Sequence, residues 1–192
     1  MTLSPALLDR VASAAVREGL ADAVFTRLPT PIGTLLVVQG DAGVLRIGFP
    51  EQPDDALLAE VAARVGPRVI ASDRELAATR DALSAYFEGE DERLDVPVDL
   101  ALVGSPFRRT ALETLRAHVG PGDVVTYAGL AARVGHPRAA RAVGTACAIN
   151  PVPIVVPCHR VVPSGGGVGS YAGGPDRKRA LLAHEAASAP RP

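Results

Sequence analysis

The sequence predicts an α/β (α+β) chain in which a small N-terminal α/β domain precedes a mostly helical C-terminal domain. Over residues 21–100, short runs rich in Val, Leu and Ile alternate with segments of helical apolar spacing, the pattern of a small sheet with helices. The later residues show mainly helical spacing, including two short helices joined by a glycine turn. With 192 residues, the chain is long enough for two small domains that each have a core.

The first twenty residues are predicted to form a helical extension, residues 1–20. Apolar residues recur there at helical spacing, Ser4 is placed to act as the N-cap, and Pro5 occupies the first helical position. Charged residues interrupt the apolar positions, which argues against a secretory signal. No apolar run in the chain is long enough to predict a membrane span.

The N-terminal α/β domain is predicted over residues 21–104. Its predicted elements are strands at Ala23–Leu28, 33–39 and 43–49, helices at Asp54–Val65 and 73–87, and a strand at 95–100. A glycine-bounded turn at residues 40–43 joins the second and third strands as a hairpin. Gly89 is placed to end the second helix.

The C-terminal domain is predicted over residues 105–187, followed by a tail at 188–192. Helices are predicted at Pro106–His118, 126–134, 137–144 and 176–186. The second and third of these have Gly135 between them, and Pro137 is predicted at the first position of the third, which gives a helix-turn-helix pattern. An ordinary αα-hairpin has the same pattern and is commoner, but the small residues on the third helix favour close approach to another surface.

Charge is divided unevenly along the chain. The formal net charge is −1, which by itself argues against a nucleic-acid-binding protein. From Ser105 onward, however, 11 Lys and Arg stand against 4 Asp and Glu, a balance of +7, and the remaining 9 basic and 17 acidic residues give residues 1–104 a balance of −8. This asymmetry indicates that the second half contacts phosphates, although charges scattered over a solvated surface would give the same counts.

The two cysteines, Cys147 and Cys158, have the spacing of neither a disulfide framework nor a zinc site. We therefore expect a reducing environment and a cytoplasmic protein. Cys158 is followed directly by His159 and Arg160, on an apolar segment interrupted by prolines. Positive charge or a histidine partner favours the thiolate, which is the nucleophilic form of cysteine. A buried, inert cysteine is the alternative that the residues alone leave open.

The cysteine segment resembles the active-site segment of the O6-alkylguanine-DNA alkyltransferase family. Residues 150–161 fit the family pattern Asn-Pro-x-Pro-x-x-x-Pro-Cys-His-Arg-Val at every fixed position. Four further blocks resemble the family's helix-turn-helix, substrate loop and final helix: residues 122–127, 138–144, 168–174 and 178–185. The resemblance implies a ribonuclease-H-like N-terminal domain and a winged-helix-like C-terminal domain that carries the helix-turn-helix.

The resemblance also implies a DNA repair reaction. The protein would extrude an O6-alkylguanine from double-stranded DNA and transfer the alkyl group irreversibly, and once, to its own cysteine; activity on O4-methylthymine stays open. We expect a monomer with no membrane association and no cofactor. No metal is expected either, because the zinc ligands of some relatives have no counterpart before Cys147.

By the same resemblance, five residues form the predicted catalytic site. Cys158 is the acceptor nucleophile, His159 is the base that acts on it through water, and Glu185 orients that histidine. Asn150 links the recognition helix to the cysteine segment, and Tyr127 assists the departure of the guanine. The residues alone favour a solvated carboxylate for Glu185 and do not distinguish Tyr127 from a core aromatic residue.

DNA contacts and a base pocket complete the predicted site. Arg141 resembles the family's arginine finger, which fills the gap left by the extruded nucleotide, although a phosphate contact would also explain it. Arg138 is assigned to phosphate. The predicted DNA-contacting residues are Arg141, Arg138, Thr126, Ala139 and Ala140, and the predicted pocket residues are Val168, Tyr171 and Ala172. At Ala172 some relatives have a serine, so this chain offers only a backbone N–H there.

Three other functions compete with this one. A lesion sensor that binds damaged DNA without reacting would lack the cysteine, which is present as Cys158. A helix-turn-helix regulator would explain residues 126–144 but not the cysteine segment. A Cys-His hydrolase would need an oxyanion hole and repeated turnover.

Overall fold

The computed structural model describes residues 5–90 and 93–188, in two compact units. The first unit comprises Met1–Ser84 and Val96–Leu102, and the second comprises Ala85–Asp95 and Val103–Pro192. The chain therefore enters the second unit, returns to the first, and enters the second again. The sequence-based boundary at residue 104 assigns residues 85–95 to the N-terminal domain, whereas these residues group with the C-terminal unit.

The first unit contains a four-stranded sheet with flanking helices. Its elements are α1 (Pro5–Arg17), β1 (Ala23–Leu28), β2 (Leu35–Gly40), β3 (Gly43–Gly48), α2 (Asp54–Val65), β4 (Val69–Ala71) and the start of α3 (Ala77–Glu88), which ends in the second unit. The strand order is β3-β2-β1-β4; β1 and β4 are parallel, and the other neighbours are antiparallel. The predicted N-cap Ser4 lies outside the described residues.

The core of this unit lies between the sheet and α2. Leu36 and Val38, two residues apart on β2, point to the same face and pack in one cluster with Leu45 of β3. Leu57 and Val61, four residues apart, bring the apolar stripe of α2 onto this cluster. Burial of each such side chain contributes about 1.5–3 kcal/mol to folding, so the apolar stripe of α2 stabilises its packing on the sheet.

Two strands of this unit differ from the prediction. β4 was missed because three residues are too few to show an alternating pattern. The predicted strand at 95–100 is wrong: only Val98 forms a bridge, with Val44, whose backbone N–H donates to the Pro97 oxygen at 2.8 Å. Pro97 has no N–H with which to extend a ladder.

Helix α3 begins four residues later than predicted. Ser72 and Asp73 use their side chains in other bonds instead: the Ser72 hydroxyl accepts locally from the backbone N–H of Glu75 at 3.3 Å, and Asp73 accepts from the hydroxyl of Thr26 on β1. Side-chain bonds of this kind compete with helical backbone bonds. The helix therefore starts at Ala77.

The second unit is mostly helical. Its remaining elements are α4 (Pro106–His118), β5 (Val125–Thr126), α5 (Tyr127–Arg133), α6 (Ala140–Ala148), a 3₁₀ turn (Cys158–Arg160), β6 (Val161–Val162) and α7 (Gly174–Ser188). β5 and β6 pair in parallel. Leu112 and Leu115 of α4, Leu130 of α5 and Val143 of α6 are all buried. The predicted class, with a sheet in the first part and mainly helices in the second, is confirmed.

Helices α5 and α6 form the predicted helix-turn-helix, but α6 begins later than predicted. Gly135 ends α5 with a φ of +81°, a conformation that favours glycine. Pro137 does not start a helix: residues 136–139 form a turn in which the N–H of Ala139 donates to the oxygen of His136 at 2.8 Å. Proline fits the second position of such a turn. Helix α6 therefore begins at Ala140, and Arg141 lies in its first turn.

Within residues 5–90 and 93–188, no helix combines the length and the apolar character that crossing a membrane requires.

Candidate active site

Cys158 is the first residue of the 3₁₀ turn, and only 2% of its surface is exposed. Its backbone N–H donates to the oxygen of Val156 at 2.8 Å, which fixes the start of the turn. The side-chain amide of Asn150 donates through Nδ2 to the Cys158 sulfur at 3.1 Å. The thiol is therefore held in a defined position by a neutral donor in a buried environment.

Asn150 also holds the loop that carries the cysteine. Its Nδ2 donates to the oxygen of Val156 at 2.8 Å, and its Oδ1 accepts from the N–H of Val152 at 3.0 Å. Within this loop Ile154 has a φ of +77°, which is rare for a β-branched residue. Such backbone costs about 1–3 kcal/mol and persists only where surrounding contacts enforce it. Asn150 supplies those contacts and at the same time touches the sulfur.

Glu185 of α7 is the centre of a buried hydrogen-bond network. Its Oε1 accepts from Nε2 of His159 and from Nη2 of Arg160, each at 2.8 Å. Its Oε2 accepts from Nε of Arg160 at 2.9 Å and from the N–H of Gly122 at 3.3 Å. Arg160 donates a further bond to the oxygen of Val119 at 2.6 Å. With 1% of its surface exposed, Glu185 is not the solvated carboxylate that the residues alone favoured.

This network determines the protonation of the His159–Glu185 pair. Burial raises the pKa of Glu185, but hydrogen bonds from His159 and Arg160 outweigh burial and bring the pKa below its ordinary value of 4.5. Burial lowers the pKa of His159, and the nearby carboxylate offsets this only in part. An ionised Glu185 therefore lies beside a neutral His159 at neutral pH.

The same pairing selects one histidine tautomer. A carboxylate can only accept hydrogen bonds, so Nε2 of His159 carries the proton and Nδ1 holds the lone pair. Nδ1 is buried and has no hydrogen-bond partner among the described residues. It is the basic nitrogen of the site.

The Cys158 thiol is neutral at rest. Burial raises its pKa to about 11, although the Asn150 amide and the positive charge of Lys178 act in the opposite direction. The expectation that neighbouring charge favours the thiolate is thus corrected: the effect of burial on the thiol pKa is larger, and Arg160 is bound to Glu185. Nucleophilic attack from this site requires a base.

Two tyrosines lie around the Cys158–His159 pair. Tyr127, the first residue of α5, is half-buried, and burial and the proximity of Cys147 and Cys158 raise its pKa. The loop over residues 164–173 approaches Tyr127 at Gly169, where φ is +70° and a Cβ would lie 3.4 Å from the tyrosine oxygen. Tyr171 of this loop packs edge-on against the His159 ring, with centroids 6.3 Å apart. In the same loop Val168 is half-buried and Ala172 is exposed.

The predicted DNA-contacting residues lie at the start of the helix-turn-helix, in its turn and in the first turn of α6. Arg138 in the turn and Arg141 on α6 are exposed, and Ala139 and Ala140 between them are partly exposed. Thr126 caps α5, since its hydroxyl accepts from the N–H of Gly129 at 2.9 Å. We call these five residues, Thr126, Arg138, Ala139, Ala140 and Arg141, the recognition face. No group of three or more His, Cys, Asp or Glu that could hold a metal ion occurs in the described part of the chain.

Family models account for both parts of the chain. The model described as "6-O-methylguanine DNA methyltransferase, ribonuclease-like domain" matches residues 23–100, and its "DNA binding domain" counterpart matches residues 106–187. The chain belongs to the 6-O-methylguanine DNA methyltransferase family. This confirms the predicted alkyltransferase family and the ribonuclease-like nature of the N-terminal domain.

Individual members of the 6-O-methylguanine DNA methyltransferase family are similar over most of their length. A methylated-DNA–protein-cysteine methyltransferase from Salmonella typhimurium is 40% identical over 161 residues, which cover 83% of this chain and 93% of that protein. The crystal structure of the Mycobacterium tuberculosis O6-methylguanine methyltransferase matches with a TM-score of 0.74 and 31% identity, covering 88% of this chain and 96% of that one. The M. tuberculosis protein OGT in complex with DNA matches with a TM-score of 0.73 and 33% identity, covering 87% and 95%.

Two buried residues beside this methyltransferase-family site were missed by the sequence analysis. Tyr86, near the end of α3, donates its hydroxyl to Oε1 of Glu185 at 2.8 Å. Lys178 of α7 is fully buried, and its Nζ donates to the oxygens of Val161 at 2.7 Å and Ser170 at 3.3 Å. Tyr86 follows helical apolar spacing like any core aromatic, so nothing in the sequence marks it. Lys178 lies in a block that matches the family, but lysine is almost never fully buried.

Proposed function

We propose that this protein repairs DNA by moving the methyl group of O6-methylguanine onto the sulfur of Cys158. The proposal rests on one buried arrangement. Asn150 donates to the Cys158 sulfur, and His159, which follows Cys158 in the chain, donates to Glu185. Relatives named as methyltransferases of methylated DNA or of O6-methylguanine support the same substrate class.

The proposed transfer balances without a further reactant. The sulfur attacks the methyl carbon, a new S–C bond forms, and the O6–C bond breaks with its electron pair left on the base. The thiol proton passes to Nδ1 of His159 through water, and the hydroxyl of Tyr127 supplies a proton to the departing guanine. A proton returned from His159 restores Tyr127, so the products are S-methylcysteine and guanine.

His159 is the proposed base because of its tautomer. With Nε2–H donated to Glu185, the lone pair of Nδ1 is available to a proton from the neighbouring thiol. The thiol pKa of about 11 makes such assistance necessary near neutral pH, and general base catalysis typically contributes about 10²–10⁴-fold. Glu185 acts through His159: it fixes the imidazole and stabilises the imidazolium that forms.

Double-stranded DNA is the proposed partner, bound through the recognition face. The alkylated oxygen cannot be reached inside the base stack, so the nucleotide must be extruded, and Arg141 would occupy the gap it leaves. Val168, Tyr171 and Ala172 would line the pocket for the extruded base, with the N–H of Ala172 as the donor available to it. The DNA complex of the M. tuberculosis protein OGT supports DNA as the partner.

Each molecule is proposed to react once, because water does not hydrolyse a thioether under mild conditions. The protein is further proposed to be a monomer and to act in the cytoplasm. The test is a titration of a duplex that contains O6-methylguanine with increasing amounts of protein, followed by counting the guanines restored. The number restored should rise in step with the protein and stop at one per molecule. Repeated turnover would instead favour the hydrolase alternative, and no restoration would favour a binding protein.

Replacing Arg141 with alanine should slow transfer from duplex DNA at least about tenfold, because extrusion of a base costs a few kcal/mol that the arginine helps to offset. Transfer from the free base O6-benzylguanine should change less than about twofold, since that substrate needs no extrusion. Single-turnover rates with both substrates measure this. Arg138→Ala is the matched control: it should weaken duplex binding, yet with both substrates at saturation it should leave both transfer rates within about twofold of the wild type. Equal slowing of both substrates by Arg141→Ala would remove the arginine from this role.

Binding to undamaged duplex should depend strongly on salt and weakly on sequence. In the recognition face, the two arginines neutralise phosphates and the two alanines offer no polar groups to read base edges. The hydroxyl of Thr126 is engaged in capping α5. For about two to four neutralised phosphates, affinity should fall about ten- to a hundredfold between about 50 and 200 mM salt. Fluorescence anisotropy with several unrelated duplexes measures both properties. Salt-independent binding, or strong preference for one sequence, would contradict this model of DNA binding.

A further inference from the structure

Tyr86 contacts the Glu185–His159 pair of the proposed reaction, although it is far from the cysteine motif in sequence. Only 1% of its surface is exposed, and its hydroxyl donates to Oε1 of Glu185 at 2.8 Å. That oxygen is the one that accepts from Nε2 of His159 at 2.8 Å. With Nη2 of Arg160, which also donates to this oxygen, the phenol and the imidazole make three donors that share a single carboxylate oxygen.

The tyrosine ring is held firmly in this position. Nε2 of His184 on α7 donates to the backbone oxygen of Tyr86 at 2.6 Å, because a carbonyl oxygen can only accept. The rings of Phe87 and His184 pack edge-on against the Tyr86 ring, with centroids 5.1 and 5.2 Å away. The bond from His184 to the Tyr86 backbone and the packing of the Phe87 and His184 rings thus hold the Tyr86 hydroxyl toward Glu185.

We propose that Tyr86 is a positioning residue of the methyl transfer, which weakens the hold of Glu185 on His159 and so keeps the imidazole available as a base. The phenolic bond draws charge from the shared oxygen, and less charge there means less stabilisation of an imidazolium. This inference rests on the proposed function, because it assigns His159 the role of base.

Several other charged and titratable groups surround the His159–Glu185 pair. Arg160 binds both oxygens of Glu185, Tyr171 packs on the His159 ring, and Lys178 and Cys158 lie in the same buried cluster. Arg160 keeps Glu185 ionised with or without the tyrosine. Loss of the phenolic bond therefore changes mainly the balance between neutral and protonated His159.

The variant Tyr86→Phe tests this, since it keeps the ring and removes only the hydroxyl. The oxygen freed from the tyrosine should hold His159 more strongly and raise its pKa, so protonated histidine should persist to higher pH. We expect the acid side of the pH–rate profile for transfer to move upward by about half to one pH unit, which slows transfer about three- to tenfold on that side. Well above the midpoint the rate should match that of the wild type within about twofold.

Phe87→Leu is the matched control, because it loosens the same cluster without touching Glu185. A purely structural role for Tyr86 predicts that both variants lower the melting temperature and scale the rate equally at every pH. Profiles with the same midpoint in Tyr86→Phe and wild type would therefore overturn the proposal.

A second measurement does not depend on the reaction. Histidine-selective NMR on the unreacted full chain follows the titration of His159 directly, and Tyr86→Phe should titrate at higher pH than the wild type. Unchanged behaviour of His159 overturns the inference even if transfer occurs. A shifted titration in a protein that never methylates Cys158 would uphold the coupling and contradict the proposed function.

Discussion

Replacing Cys158 with alanine should abolish methyl transfer, with a loss of at least about 10⁴-fold in the single-turnover rate. The sulfur forms the new bond itself, and no other described thiol can take its place. Cys147, the second cysteine, is buried on α6, and burial raises its pKa to about 12. The proximity of Cys158 is the second cause of this shift, and Cys147, unlike Cys158, has no histidine next to it in the chain to act as a base.

Cys147→Ala is the matched control for that experiment. It removes a buried thiol of the same size from the same unit, yet it should keep transfer within about threefold of the wild type, because packing changes of this size cost little catalysis. Duplex binding should be preserved in both variants, since neither residue belongs to the recognition face. A Cys158→Ala protein that still restores guanine would contradict the proposed chemistry.

Replacing Glu185 with glutamine should destabilise the protein by about 3–5 kcal/mol, because it leaves the buried Arg160 without its counter-charge. It should also slow transfer at least about a hundredfold, since the amide no longer secures the tautomer of His159 or stabilises the imidazolium. Urea unfolding and single-turnover rates measure the two effects. Glu113→Gln removes the same charge from an exposed position on α4 and should change stability by less than about 0.5 kcal/mol.

The pH dependence of stability should carry the mark of this carboxylate. The pKa of Glu185 is lower in the folded than in the unfolded chain, so its contribution is complete above the unfolded value of about 4.5 and is lost as pH falls from there toward the folded pKa. His159 also has a lowered pKa, and its contribution starts to fall below about pH 6.5 by the same reasoning. The wild type should therefore lose stability in two stages. Glu185→Gln should lose less stability in the lower stage, where Asp22 still contributes because its bonds to Arg68 lower its pKa. A lower stage of unchanged size would show that Glu185 does not titrate as described.

The cysteine site could be predicted because its chemistry is written in one contiguous block. Asn150, Cys158 and His159 lie within ten residues of each other, so one sequence motif identifies all three. Glu185 shows the limit of this approach: its partners Arg160, Gly122 and Tyr86 lie 25, 63 and 99 residues away along the chain. Burial produced by contacts at such separations has no local signal, and the residues alone favoured a solvated carboxylate.

The fold follows the same division. Elements set by periodicity and capping agree with the prediction, such as Ala23–Leu28, Asp54–Val65 and Pro106–His118. The errors occur where one residue fits two local structures: Pro137 suits a helix start and a turn, and the turn is what forms. At residues 95–100 the composition is strand-like, but Pro97 has no N–H for a ladder bond, so only Val98 forms a bridge.

Transfer of one methyl group from O6 of guanine to the sulfur of Cys158 must add the mass of that group to the protein. Mass spectrometry of the intact protein, followed by peptide mapping, tests it after incubation with an excess of duplex that contains O6-methylguanine. We expect a single added methyl group on every molecule, located on Cys158, with no second addition on longer incubation and none with unmodified duplex. An unchanged protein mass alongside restored guanine, or a methyl group found on any other residue, would contradict it.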